Sequence, residues 1–234
     1  MTEGILITRA GEELDRILQK HSGSAYSKID KNIDVGEPAA AILQKIRGES
    51  VNLVIMGTHG KGGFDPYLAG SVTTRILHRS PVPVLVLGGP AHDQIHLQEG
   101  APVPLKRILC AIDFERGSDS IRGAAIHLAK RYQAETLFFH VQDRMEENDW
   151  LDEQRVSLED FLKRESEAAK NLRYRFLVEA GYPAQEIIKA VDRHGVDLVI
   201  IGHHTKRPLE ETVLGSVAIR VVSEAHCPVM VIRN

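Results

Sequence analysis

A glycine-rich stretch at residues 54–77, VIMGTHGKGGFDPYLAGSVTTRIL, has the residue types that can hold a phosphate group. Gly57 ends an apolar run and lets the chain turn without a Cβ clash, and Gly60 lets backbone N–H groups approach an anion closely. Gly70 and Ser71 then open a helical pattern, where free N–H groups and the helix dipole favour negative charge. The spacing G-x2-G-x9-G-S therefore predicts a phosphate-binding loop, and the alternative is a plain turn between a strand and a helix.

The sequence repeats itself at a distance of 145 residues. Residues 35–87 and 180–232 align without a gap, and 18 of the 53 aligned positions are identical. This distance is the size of a domain and far longer than the repeat of a solenoid. The chain is therefore predicted to be a tandem duplication.

The second copy of the loop, GHHTKRPLEETVLGS, differs from the first at one glycine. It keeps Gly202, Gly215 and Ser216, but Thr205 stands where the first loop has Gly60. A β-branched residue disfavours positive φ and close approach of the backbone to a ligand. We therefore expect the second loop to hold phosphate less well through its backbone.

Positively charged side chains lie in both loops, at Lys61, Lys206 and Arg207, and can neutralise phosphate charge. Two better-known phosphate motifs do not fit the sequence. The Walker loop needs G-x4-G-K-[ST], which GTHGKGG does not supply. The dinucleotide fingerprint follows the first strand of a βαβ unit, whereas these loops follow a late strand.

The loops also contain histidines and carboxylates whose roles are open. His59, His203 and His204 can contact a bound nucleotide, and for a metal site the spacing places no third ligand. Glu210 and Glu211 could form a catalytic carboxylate pair, but a solvated loop explains them equally simply.

The elements that position the loops alternate between buried strands and amphipathic helices. The predicted strands are residues 52–57, 81–87, 105–114, 134–143, 197–202 and 227–232, with a short strand before Gly181. The predicted helices are residues 38–49, 71–79, 120–133, 183–195 and 216–224, with a long helix that begins near residue 156.

The second half therefore has the order β-α-β-α-β-α-β-α-β, which predicts an α/β fold with a doubly wound parallel sheet. The first half lacks the strand, helix and strand that begin the second, and offers only GILIT (4–8) as a strand and a helix at about 10–21. We expect an incomplete domain at 1–88, a linker at 89–104 and a complete domain at 105–234. The resulting gap is expected to be filled by GILIT, covered by another subunit, or explained by a chain shortened at its N-terminus.

The G-x2-G-x9-G-[ST] spacing, followed by the strand PVPVLVL, resembles the universal stress protein family, and ILCAIDF resembles that family's first strand. The resemblance implies two tandem Rossmann-like domains with strand order 3-2-1-4-5. It also implies a bound ATP, ADP or AMP, with Mg²⁺ left open, and an acidic residue, here Asp113, near the adenine and ribose. An alternative role for Asp113 is to cap the next turn or helix. The nucleotide-binding residues expected from the loops and the resemblance are Ala111, Asp113, Val141, Gly202, His203, His204, Lys206, Arg207, Gly215, Ser216 and Val217 in the second half, with Gly57, His59, Gly60, Lys61, Gly70, Ser71 and Val72 in the first.

The composition is that of a globular protein: 234 residues, 43% hydrophobic, 26% charged and a net charge of −3. This charge gives no basic surplus for nucleic acid, and no apolar run approaches the roughly 20 residues of a membrane span. Cys110 and Cys227 lie in apolar runs, which indicates buried, reduced thiols and favours a cytoplasmic protein.

Three functions remain open from the sequence. The first is a nucleotide-binding regulatory protein of the stress response without dedicated catalysis, at most a slow ATPase, because no activated water or Mg²⁺ ligand set is evident. The second is an interaction module, a homo-oligomer without a ligand, whose halves pair through their last strands, PVLVL and PVMVI. The third, a nucleotidyl-transfer enzyme, lacks an acceptor site in the sequence.

Overall fold

The computed structural model describes residues 3–20, 29–58, 70–88, 105–113, 118–142, 156, 158–164, 169–203 and 215–233. The strands are β1 Val54–Gly57, β2 Val84–Leu87, β3 Arg107–Ala111, β4 Glu135–Gln142, β5 Arg173–Ala180, β6 Leu198–His203 and β7 Val229–Arg233. The helices are α1 Glu3–Lys20, α2 Pro38–Gly48, α3 Ser71–Arg79, α4 Ser118–Tyr132, α5 Pro183–His194 and α6 Ser216–Glu224, and residues 158–164 are also helical.

All seven strands form one sheet in the order β1-β2-β7-β6-β3-β4-β5. Within the second half this order is 3-2-1-4-5, as the resemblance implies. Neighbouring strands are parallel except β2 and β7, which are antiparallel, with Val84 opposite Val231 and Val86 opposite Val229. The last strands of the two halves therefore pair, which confirms the pairing predicted for PVLVL and PVMVI.

The two faces of the sheet are covered differently. One face, here called the shared face, packs against α2, α3, α5 and α6 and has a single core to which both halves contribute, including Leu43 and Ile187. The opposite face packs against α4 and residues 158–164, with Ile126 and Phe161 buried there. The side chain of Ile55, on β1, is exposed on that opposite face. Of the described helices of the first half, those that pack on its strands therefore lie on one side of them.

The ends of the paired helices follow their sequence signals. Pro38 and Pro183 both lie in the first turn of a helix, where a missing N–H is tolerated. The Glu37 carboxylate accepts hydrogen bonds from the N–H groups of Ala39 and Ala40, and these bonds, that of Ala40 above all, lower the pKa of Glu37 despite the opposing effect of desolvation. Gly195 ends α5 in the left-handed conformation, with φ of 57°.

Two predictions for the elements are wrong. GILIT is helical and belongs to α1, which begins well before residue 10, and the Thr8 hydroxyl donates to the carbonyl of Gly4 at 2.9 Å. The local hydrogen bonds of the helix satisfy the backbone of these residues, which therefore does not pair with the free edge of β1. The strand before Gly181 is not short, because β5 pairs with β4 over eight positions.

Candidate functional site

The strand order reverses beside β3, which pairs in parallel with β4 on one side and with β6 on the other. Cys110 lies opposite Ile200, and the N–H of Ile112 donates to the carbonyl of Phe139 at 2.9 Å. In doubly wound sheets the crevice for a ligand lies outside the carboxyl ends of the strands at such a reversal. The second half therefore has the backbone arrangement of a ligand site at the ends of β3, β4 and β6.

The three predicted apolar residues of the site pack against the same hydrophobic core. Ala111 at the end of β3, Val141 near the end of β4 and Val217 in the first turn of α6 are half-buried against the core of the shared face. Asp113 is also half-buried, two residues beyond the end of β3. Small apolar side chains and a carboxylate therefore lie near the carboxyl ends of β3 and β4, a combination that suits a base and the hydroxyls of a sugar.

The start of α6 is the part of this region that is suited to an anion. Gly215 stands at the N-cap, where it makes no side-chain capping hydrogen bond, and Ser216 is exposed in the first turn. The carbonyl of Gly215 accepts from the N–H of Ile219 at 3.3 Å, so the helix begins directly after the glycine. The first N–H groups of a helix have no partner within the helix, and here the capping residue has no side chain to offer them. A phosphate can bind there.

The start of α3 in the first half has the same design. Gly70 is again an N-cap without a side-chain hydrogen bond, Ser71 is exposed, and Val72 is half-buried. The hydroxyl of Thr73 donates to the carbonyl of Gly57 at 2.9 Å, which holds α3 against the end of β1. However, β1 is the last strand of the sheet, and no described strand lies beyond it. The described part of the first half therefore has a helix start that is suited to an anion, without a crevice between two strands.

The first half contributes a side chain to the end of β6. His203 is buried there, and its ring meets the ring of His78 from α3 edge-on, with centroids 6.2 Å apart. This contact exists because β2 and β7 bring α3 beside the second half. Sequence reasoning missed His78, and nothing in its own surroundings could have indicated the contact.

A second missed residue is His140 on β4, which is buried. Its Nδ1 lies 2.9 Å from the carbonyl oxygen of Ile112, just after β3. This hydrogen bond fixes the backbone from which Asp113 extends. The position of His140 in a predicted strand beside β3 was a usable signal.

Several predicted residues lie outside the described part of the chain. They are His59, Gly60, Lys61, His204, Thr205, Lys206, Arg207, Glu210 and Glu211. Within the described ranges, no group of three His, Cys, Asp or Glu side chains is arranged to hold a metal ion. In the same ranges, no helix has both the length and the apolar character needed to cross a membrane.

Both halves of the chain match the same family of known proteins. Residues 5–88 and 104–233 match the sequence profile of the universal stress protein family. A universal stress protein of Methanocaldococcus jannaschii is 33% identical over 148 residues, which are 55% of this chain and 82% of that protein. One from Mycolicibacterium smegmatis is 28% identical over 193 residues, which are 79% of this chain and 63% of its relative.

A solved structure has the same fold. The crystal structure of a universal stress protein from Archaeoglobus fulgidus aligns with all of this chain and with 81% of its own, with a TM-score of 0.73 and 21% sequence identity. At this identity the likeness concerns the fold. Because the family profile matches most of the sequence, in two segments that correspond to the two halves, the chain belongs to the universal stress protein family.

Proposed function

We propose that the chain is a nucleotide-binding regulatory protein of the stress response, and that it binds ATP, ADP or AMP in its second half. The observation that supports this best is the start of α6, which has no side-chain cap at Gly215 and follows the strand β6 at the reversal of strand order. Two further observations support nucleotide binding. The chain belongs to the universal stress protein family, and its second loop keeps the spacing of nine residues before Gly215 and Ser216. No dedicated catalysis is part of the proposal.

Each described residue has a role that its position permits. Ala111 and Val141 would contact the base, because small apolar side chains leave room for a flat ring. The Asp113 carboxylate would accept hydrogen bonds from ribose hydroxyls. The Ser216 hydroxyl and the N–H groups of Ser216 and Val217 would bind phosphate oxygens. Lys206 and Arg207, known here from sequence alone, would neutralise phosphate charge.

Binding can be tested by isothermal titration of the full chain with ATP, ADP and AMP. Binding of at least one nucleotide by millimolar concentration supports the proposal, and no binding of any of the three contradicts it. The two halves offer a matched pair of variants, Ser216→Asp and Ser71→Asp. Both residues are exposed in the first turn of a helix, where an added carboxylate is favourable for the helix but repels phosphate.

We expect Ser216→Asp to weaken nucleotide binding at least about tenfold, a loss of about 1.4 kcal/mol, and Ser71→Asp to leave it unchanged. If instead Ser71→Asp weakens nucleotide binding and Ser216→Asp does not, the nucleotide phosphates bind in the first half. Equal affinity of both variants and the original chain would mean that the nucleotide phosphates lie at neither helix start.

A second candidate function is an interaction module without a ligand, in which the fold serves to present surfaces. The pairing of β2 with β7 favours it, because the sheet itself already joins two units. Absence of nucleotide binding together with a self-associating chain would select this alternative. In either case, the two buried thiols favour a cytoplasmic setting.

A further inference from the structure

The outer edge of β1 has backbone groups that point away from the sheet. The N–H groups of Val54 and Thr58 donate to the carbonyls of Pro83 and Leu87 on the β2 side, at 3.0 and 3.2 Å. Because successive residues of a strand direct their N–H groups to opposite edges, the N–H of Ile55 points outward. No strand among the described residues pairs with this edge.

The two edges of the sheet are protected differently. The strand at the other edge, β5, contains Arg173, Arg175 and Glu179, and charged side chains are a usual protection against pairing with another chain. The strand β1 has the sequence VIMG and no charge. Because β5 is charged and β1 is not, β1 is the edge strand that is suited to pair with a further strand.

The side chain of Ile55 lies on a part of the sheet that no described helix covers. It is 60% exposed, whereas Ile200, its counterpart 145 residues later, is completely buried beneath α4 and residues 158–164. Leu53 is exposed as well, and Leu85, which packs against the core of the opposite face, is only partly buried. We call this uncovered surface of β1 and β2 the open face. It continues the core of the second half and ends at solvent.

The helix α1 is the internal counterpart of the helical residues 158–164, which cover the opposite face in the second half. In the first half α1 lies instead against the segment that precedes α2. A Cβ placed on Gly11 would lie 3.6 Å from the side chain of Ile33, and Asp15 forms an ion pair with Lys31. Ile17 on α1 remains half exposed, as do Ile5, Leu6 and Ile7. Among the described residues there are therefore both an apolar sheet surface that no described helix covers and a helix with exposed apolar side chains.

We propose that two copies of this chain join through their β1 edges, antiparallel to each other, and that the two α1 helices cover the joined open faces. The sheet would continue through β2 and β1 of one copy into β1 and β2 of the other. Four strands spaced about 4.8 Å apart present a surface about 19 Å wide. Two helices, each about 10 Å across, match that width. The same antiparallel joining already links the two halves within one chain through β2 and β7.

A second copy suits this edge because a two-fold axis near Ile55 satisfies both strands at once. Ile55 of each copy would exchange both backbone hydrogen bonds with its equivalent, with the two Cα atoms about 5.5 Å apart. That separation is within the range that a disulfide can bridge. The dimer does not depend on nucleotide binding, because the open face and the crevice beside β3 are at different places in the sheet.

The first test is the mass of the full chain in solution, measured by sedimentation over a range of concentrations. The variant Ile55→Lys places a charge in the centre of the proposed interface, and Tyr182→Lys makes the same kind of change at a residue that is 74% exposed at the start of α5. We expect a dimer that Ile55→Lys weakens at least tenfold and Tyr182→Lys leaves unchanged. A chain that is monomeric at all concentrations, or equal effects of the two variants, would overturn the proposal.

The second test is a cross-link that reports the strand pairing itself. Cys110 and Cys227 are buried, so a single added thiol is the one that an oxidant reaches. Under mild oxidation Ile55→Cys should form a disulfide-linked dimer, and Tyr182→Cys should not. Circular dichroism of each variant establishes that it is folded. Failure of a folded Ile55→Cys chain to cross-link above the level of Tyr182→Cys would contradict the pairing of β1 with β1.

Discussion

The N–H of Gly70 donates a 2.9 Å hydrogen bond to the carbonyl oxygen of Thr58, and that same oxygen fills the space that a side chain at residue 70 would need. The bond joins the start of α3 to the end of β1, and so fixes both ends of the glycine loop between them. Gly70 is therefore needed for its lack of a Cβ, not for an unusual φ, since its φ of −54° is open to any residue.

The first prediction concerns this contact. A Cβ at Gly70 would lie closer than 3.0 Å to the Thr58 backbone, which cannot move aside as a flexible side chain can. We expect Gly70→Ala to lower the free energy of unfolding by about 1–3 kcal/mol, measured by urea denaturation. Gly123→Ala is the control: nothing lies within 4 Å of its Cβ position in the middle of α4, so we expect it to be stabilising. Equal effects of the two changes would refute the explanation.

The second prediction concerns Arg122, which lies on α4 and is only 7% exposed. Its guanidinium lies over the ring of Phe161, 4.3 Å from the centroid, and pairs with Asp119, while its Nε has no hydrogen-bond partner among the described residues. A buried charge with an incomplete set of partners is replaced by an apolar side chain at little cost. We expect Arg122→Met to be neutral or stabilising in urea denaturation, whereas Asp119→Asn, which leaves the charge in place, should lower stability by about 1–3 kcal/mol. The reverse order would contradict the prediction.

The third prediction concerns pH. Burial lowers the pKa of His194, and the positive charges of Arg175, Arg193 and Arg107 add to this effect. Below about pH 6.5 the unfolded chain therefore binds a proton at this residue that the folded chain does not. Above that pH, His194 does not reduce the free energy of unfolding. As the pH falls towards the lowered pKa of His194, the free energy of unfolding decreases. We expect His194→Gln to lose less unfolding free energy than the original chain between pH 8 and pH 5.5. A loss as large in the variant as in the original would exclude the effect.

The fourth prediction concerns the thiols. Burial raises the pKa of Cys110 to about 12, although the nearby charge of Arg122 opposes it, and burial likewise raises the pKa of Cys227 to about 12. Because the thiolate is the reactive form, neither residue should react with a disulfide reagent at pH 8 while the chain is folded. Addition of guanidinium should release both thiols, as measured by absorbance. Rapid reaction of either one in the folded chain would show that it is accessible.

The sequence predicted well those elements whose surroundings are local or repeated. The bounds of α3 and α6 agree with the predicted helices at both ends, because each begins after a glycine and has a regular apolar stripe. The strand order of the second half also agrees, since alternating strands and helices permit few topologies. The predicted strands begin one to three residues before the observed ones, because apolar residues precede the first ladder hydrogen bond. Their C-terminal ends lie between one residue short of the observed ends and three residues beyond them.

What the sequence could not supply depends on partners that are distant in the chain. GILIT has the composition of a strand, but a strand needs a neighbour, and the helix forms from local hydrogen bonds alone. The contact between His78 and His203 exists only after β2 and β7 pair. The resemblance to the family implied Ala111, Val141 and Val217 as site residues. That all three pack against one core could not be read from the sequence, because it depends on how the sheet folds.

We expect the pairing of β2 with β7 to hold the two halves together even without the peptide connection between them. Val84 and Val86 lie in the same ladder as Val231 and Val229, and both halves bury side chains in one core. A chain cleaved anywhere in residues 89–104 would thus remain a single particle, with two fragments that stay bound as subunits do. The molecule is in this sense a heterodimer whose two subunits have been fused end to end.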